Sequence, residues 1–383
     1  MKKNGLLVGM LGMGLIFGMM VVGCDTGTGG SGGNSMSWRQ APGSLLTNDA
    51  PLPPTSDNPL PMAYGVNKFV VGENDNIIYS SDGLTWTTIE KPFQGIDYDY
   101  NTYGIRYILF CNNKFVAIIY TYPSEKHLIA FSNDGISWTN PTEINPLGDS
   151  TDITTFIYGG GKFIAGGHRS PYREAAKIGY SIDGITWIAA DTSNLHFDIS
   201  CMEYGNNKYI VGARGYYGEQ SGLAYSSDGI TWIPVNDVPF GYTAGGDASL
   251  DPGGFKYIYY GGDKFIAASQ YRGEMAYSVD GVNWTVIQSP FQDWVIHWDT
   301  SLHIKISGIT YGNGKFVVGG YSTLGAGKII VSSTDGISWD ITYDGDYHSS
   351  GPIYYFGSIT GVFFGGGRFI AYDHYGDVIY SDD

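Results

Sequence analysis

Runs of aromatic and β-branched residues, a few positions long, alternate with clusters of Gly, Asn and Asp along most of this chain. Strands punctuated by tight turns read this way, and no comparable run keeps a helical period. One stretch shows the whole unit, with residues 306–311, 315–320, 328–333 and 338–343 predicting four successive strands. The unit then repeats. An aromatic position followed by a Lys/Arg-aromatic strand recurs at Tyr64/Lys68-Phe69, Phe110/Lys114-Phe115, Tyr158/Lys162-Phe163, Tyr204/Lys208-Tyr209, Tyr260/Lys264-Phe265, Tyr311/Lys315-Phe316 and Phe364/Arg368-Phe369. A second phrase, Ser-x-Asp-Gly-x-Ser/Thr-Trp, follows each of the first six, carried by Asp82, Asp134, Asp183, Asp228, Asp280 and Asp335, with Asn283 in one Ser/Thr slot.

The seventh copy stops at Tyr380-Ser381-Asp382-Asp383, with Asp382 read as its aspartate, and a Ser-Trp strand that would complete it stands at Ser37-Trp38-Arg39-Gln40. A repeat of about fifty residues belongs to solenoids or propellers. A solenoid needs polar caps, and none is visible here, whereas a split repeat is what ring closure requires. The expectation is an all-β protein: a seven-bladed β-propeller of four-stranded antiparallel blades. Its last blade is closed by the N-terminal strand, with Trp38 inside that strand. The Pro-rich stretch 41–61 reads as a connection between blades.

Ser-x-Asp-Gly-x-Thr-Trp resembles the Asp-box of bacterial-neuraminidase-type (BNR) repeats, one residue shorter than the usual spacing. The resemblance extends over nearly all of 37–383. Sialidases, sortilin-type receptors and photosystem II assembly factors carry such boxes, so the likeness implies a fold more than an activity. A short Asp in a turn accepts backbone N–H bonds, Gly supplies a positive φ and Trp buries apolar surface. Seven copies suit a structural staple, whereas a catalytic Asp is needed once or twice. The repeated Lys reads likewise as snorkelling along its turn.

The first residues differ in kind. Lys2 and Lys3 precede an apolar Gly/Met-rich segment, 6–22, and Val21-Val22-Gly23-Cys24 matches the lipobox of bacterial lipoproteins. The expected organisation is a lipoprotein signal peptide over 1–23, a lipidated Cys24 with a Gly/Ser linker over 24–36, and the propeller over 37–383. That places the protein in the bacterial cell envelope, lipid-anchored and extracytoplasmic, periplasmic or surface-exposed. The formal charge of −16 becomes about −18 once Lys2 and Lys3 are removed, which disfavours nucleic acid and anionic lipid as partners of the body. Cys111 and Cys201 fall in non-adjacent blades and read as buried free thiols. No zinc spacing or calcium loop is present, and no cofactor is expected.

In a meander blade the Tyr-Gly turns and the Asp-Gly turns share one rim, and the longer, variable loops emerge on the other. Binding residues concentrate on such loops. Four arginines, Arg169, Arg173, Arg214 and Arg272, fall there beside Tyr217, Trp294 and Trp298, once Arg39, Arg106 and Arg368 are set aside. Together they suit a protein or glycan ligand, an anionic one included, since guanidinium groups grip carboxylates in pairs of hydrogen bonds. Pairing of each Arg with Glu174, Glu219 or Glu274 is the plainer alternative. A glycoside hydrolase is the other reading. Asp97, Asp99, Asp149, Asp152, Asp198, Asp247 and Asp251 supply carboxylates on that face, but the Arg-Ile-Pro-type signature of sialidases is absent and their usual blade count is six. The sequence therefore favours a binding module without a catalytic residue.

Overall fold

The computed structural model describes residues 36–46, 59–96, 102–122, 124–148, 151–168, 176–213, 222–240, 254–269, 273–288, 290–291, 304–322, 328–344, 358–373 and 375–383. Every regular element among them is a strand, and they form seven four-stranded antiparallel sheets, each a simple meander. Six blades are contiguous, over residues 62–89, 102–144, 152–189, 199–234, 257–287 and 304–344. The seventh takes three strands from 359–381 and its outer one from Arg39–Ser44, in register Arg39 opposite Tyr380 and Gln40 opposite Ile379. Blade seven packs on blade one in turn, Phe363 meeting Phe69 edge-on at 6.2 Å, so the ring is closed.

Two details differ from the sequence expectation. The closing strand begins at Arg39, with Trp38 immediately ahead of it, as Trp86 and Trp187 stand ahead of their own outer strands. It also continues through Ala41 and Pro42 to Ser44, into the stretch expected to be connection. Pro42 is tolerated because an outer strand needs no second ladder partner for a backbone N–H.

The repeated residues explain the stacking. The turns joining first to second strands hold paired positive-φ residues, as at Asn112-Asn113, Gly160-Gly161 and Asn206-Asn207. Two consecutive left-handed positions match the twist of a two-residue hairpin. The aromatic residue before each turn packs against the aromatic of its own second strand, Tyr204 on Tyr209 at 4.6 Å and Tyr260 on Phe265 at 4.7 Å. Its other contact is the glycine of the preceding blade. A Cβ on Gly205 would stand 2.1 Å from the Tyr260 ring, and the same fit recurs at Gly65/Phe110, Gly159/Tyr204, Gly261/Tyr311, Gly312/Phe364 and, across the closure, Gly365/Tyr64. Each blade thus presents a socket to the next. Cys111 replaces this glycine in blade two and is buried and free, like Cys201.

Candidate functional site

On the turn rim, each Ser-x-Asp-Gly segment folds onto its own carboxylate. Asp82 Oδ1 accepts from the N–H groups of Leu84 and Thr85 at 2.8 Å each and from the Ser80 hydroxyl at 2.9 Å. Ser80 Oγ in turn accepts from Gly83 N–H at 2.8 Å. The same set recurs around Asp134, Asp183, Asp228, Asp280 and Asp335. The backbone N–H groups of Thr186 and Ile185 hold the Asp183 carboxyl down at about 2. A carboxylate committed to its own turn and held ionised in this way has no proton to donate near neutrality.

The seventh copy corrects one assignment. Asp383, not Asp382, occupies the position of Asp82: its carboxylate accepts from Ser381 Oγ at 3.2 Å and from the backbone N–H of Ser37. Ser37 and Trp38 therefore stand where Thr85 and Trp86 stand in blade one, and the motif is assembled from both ends of the chain. Asp382 sits in the variable position and pairs instead with Arg39 at 2.8 Å and Arg368 at 2.5 Å. Arg368 also donates to the Asp82 carbonyl of blade one at 2.6 Å, a second tie across the closure.

The opposite rim was expected to carry the site. Arg169, Arg173, Arg214, Tyr217, Arg272, Trp294 and Trp298 lie outside the described residues, as do Cys24 and the carboxylates Asp97, Asp99, Asp149, Asp247 and Asp251. The described part of this rim holds a constellation that the sequence reading set aside. At the loop end of blade two, the exposed Arg106 guanidinium lies over the Tyr120 ring, 5.3 Å from its centre, and Tyr120 lies against the His127 imidazole at 5.1 Å. Asp152, at the start of blade three, acts electrostatically on both Tyr120 and His127. Burial lowers the His127 pKa, Asp152 opposing and Arg106 reinforcing the shift, so the ring is neutral at pH 7 with one donor and one acceptor nitrogen. Elsewhere on this rim Lys328 and Asp373 join blades six and seven at 2.9 Å, and Lys126 meets Glu143 at 2.6 Å.

Deeper in the wall, Glu203 is the one acid in a row otherwise filled by Ala63, Leu109, Ile157, Tyr259, Thr310 and Phe363 at the same register. Burial pushes its pKa well above the usual carboxylate range, and its one hydrogen bond among the described residues comes from Tyr204 N–H at 2.9 Å. No group of three or more His, Cys, Asp or Glu side chains among the described residues is placed to hold a metal ion.

No protein-family model matches this chain, and no curated protein matches it in sequence. Solved structures do match in shape. YCF48 bound to a D1 peptide is 16% identical with a TM-score of 0.54, over 91% of this chain and 95% of that one. A streptogramin B lyase is 12% identical with a TM-score of 0.57, over 90% of this chain and 97% of that one. A catalytically inactive virginiamycin B lyase from Staphylococcus aureus with quinupristin is also 12% identical, with a TM-score of 0.56, over 91% and 99% of the two chains. At such identities the likeness is one of fold: the class is the seven-bladed β-propeller.

Proposed function

We propose that this protein is a lipid-anchored, extracytoplasmic propeller of a bacterial cell envelope that binds a protein or glycan on its loop rim and catalyses nothing. The observation that carries the reading is the division of labour between rims. The Asp-box turns spend their polar atoms on one another, whereas the opposite rim presents Arg106, His127 and Asp152 without such commitments. Ser37 stands on the turn rim, beside Asp383. A tether from Cys24 that leads to it leaves the loop rim clear of the point of attachment. A solved neighbour in fold, YCF48, is described with a bound peptide, which favours a protein ligand as the first to test.

The experiment uses full-length protein in detergent, screened against peptide and glycan arrays and against aryl glycosides. Saturable binding without turnover is expected. Release of the aryl group would replace this reading with the hydrolase. Cys24→Ser is expected to leave an unprocessed or mislocalised precursor, because the thiol is the acyl acceptor; a variant of processed mass that still partitions with detergent overturns the anchor.

A further inference from the structure

Five first strands carry an irregularity at the same place, one residue more than their partner strand, between Ile105/Tyr107, Ile153/Thr155, Ile199/Cys201, Ile306/Ser307/Gly308 and Ile359/Gly361. The extra residue has a visible job in blades three and four. Thr154 Oγ1 donates to Ile199 O of the next blade at 2.5 Å, and Ser200 Oγ donates to Phe255 O of its own next blade. In these two blades a small hydroxyl staples one blade to the next; blades six and seven keep a hydroxyl residue at the same position, Ser307 and Thr360, but the buried Ser307 Oγ makes no hydrogen bond.

Blade two breaks the rule with Arg106. The staple is handed to the following residue, Tyr107, whose hydroxyl reaches Ile153 O at 3.4 Å. Arg106 is thereby released from architecture. Gly104, two residues earlier, leaves room for it: a Cβ there would meet nothing nearer than Arg106 Nε at 3.8 Å. The guanidinium lies in that space over Tyr120, with His127 beyond. Of the surrounding polar groups Lys126 pairs with Glu143 and Thr121 with Ser124, while the Glu125 carboxylate, like Asp152, acts electrostatically on Tyr120. Among the described residues Arg106 makes no ion pair or hydrogen bond, and neither the His127 nitrogens nor the Asp152 carboxylate is hydrogen-bonded. An unpaired guanidinium is unexpected in a chain of formal charge −16, where acids outnumber bases. Departures from a local rule without a structural gain concentrate at functional positions.

We infer that Arg106, Tyr120 and His127 form a carboxylate-binding site at the loop end of the blade two–three junction. The Arg106 fork takes the carboxylate, the neutral His127 adds an N–H, and Asp152 selects acids that also carry a hydrogen-bond donor. Two sources share this chemistry, the free carboxyl end of a peptide and a uronic acid. The site rests on the loop rim being the binding face.

The test is NMR of full-length protein with labelled histidine, titrated with N-acetylglycylglycine and its amide, and with methyl glucuronide and methyl glucoside. The acids are expected to move the His127 signals saturably, and the amide and glucoside not. Preference for the peptide acid or for the glucuronide identifies the source. Arg106→Lys keeps the charge and loses the fork, and should weaken the better acid at least tenfold; Arg106→Ala should abolish the shifts. Acids acting no more strongly than their neutral partners, or an unchanged affinity in Arg106→Lys, overturn the site. If array ligands still bind with full affinity to Arg106→Ala, the binding function stands and this site is excluded from it.

Discussion

Glu203 shows what one residue can cost a repeat. Its neighbours in register are apolar or uncharged, and burial without a cationic partner raises its pKa well above the usual range, the Tyr204 N–H offsetting only part of the effect. The sign of the pH dependence follows. A carboxyl whose folded pKa lies above its unfolded value of about 4.3 favours the fold below that value and loses this contribution as pH rises. Glu203→Gln is therefore expected to raise the thermal midpoint at pH 8, by a stability increment on the order of 1–3 kcal/mol. At pH 4 the gain should vanish. An equal gain at both pH values would show that the carboxyl is not the source. The repeated aspartates behave oppositely: for Asp183 the turn N–H groups lower the pKa to about 2, so its contribution is kept at neutral pH and lost only in acid.

Hairpin turns are where sequence and backbone agree most closely, with two exceptions, Glu125 at φ 51° and the more strained Val66. Asn, Gly and Asp fill nearly every positive-φ turn position, but blade one places Val66 there at φ 45°. A β-branched side chain in the left-handed region crowds its own backbone, at roughly 1–2 kcal/mol. Val66 is 44% exposed, so little packing is lost on replacing it. Val66→Asn is expected to stabilise the protein by about 1 kcal/mol, read as a higher midpoint in urea with an unchanged slope. A lower midpoint would mean that the valine side chain contributes packing that outweighs the strain. The element count, the meander order and the turn positions were legible because period-two runs and Asn/Gly pairs act locally. The exact strand ends were not: residues 338–343 were expected where the strand is Asp340–Asp344, since ladder pairing with the neighbouring strand sets the limits.

At the scale of the molecule, one short segment completes the blade that closes the ring. Arg39 and Gln40 pair with the last strand, Ser37 N–H bonds to the Asp383 carboxylate, and Arg39 and Arg368 converge on Asp382. Removing residues 37–40 strips the seventh blade of the start of its outer strand and opens an edge. Loss of at least about 3 kcal/mol, or aggregation, is expected, since several ladder bonds and the Trp38 packing go together. Deletion of four residues within 26–35 is the control and should leave the melting midpoint unchanged. Equal midpoints for the two deletions would defeat closure by this segment.

Repetition made the architecture readable along the chain. Seven copies of a local phrase, each with its own turn residues and apolar alternation, dictate seven like sheets, and the split phrase implies a ring. The seventh aspartate was legible as well, since the Ser-x-Asp spacing counted from Ser381 falls on Asp383; the reading of Asp382 overlooked that spacing, and the bonds from Ser381 and Ser37 correct it. Arg106, by contrast, was not legible. In sequence it is one arginine inside a strand, and its release depends on a strand irregularity, a missing side chain at Gly104 and a hydroxyl contact from Tyr107 to the next blade. Local propensity carries no record of contacts between blades, so the fold could be spelled out along the chain while the carboxylate site emerged only where two blades meet.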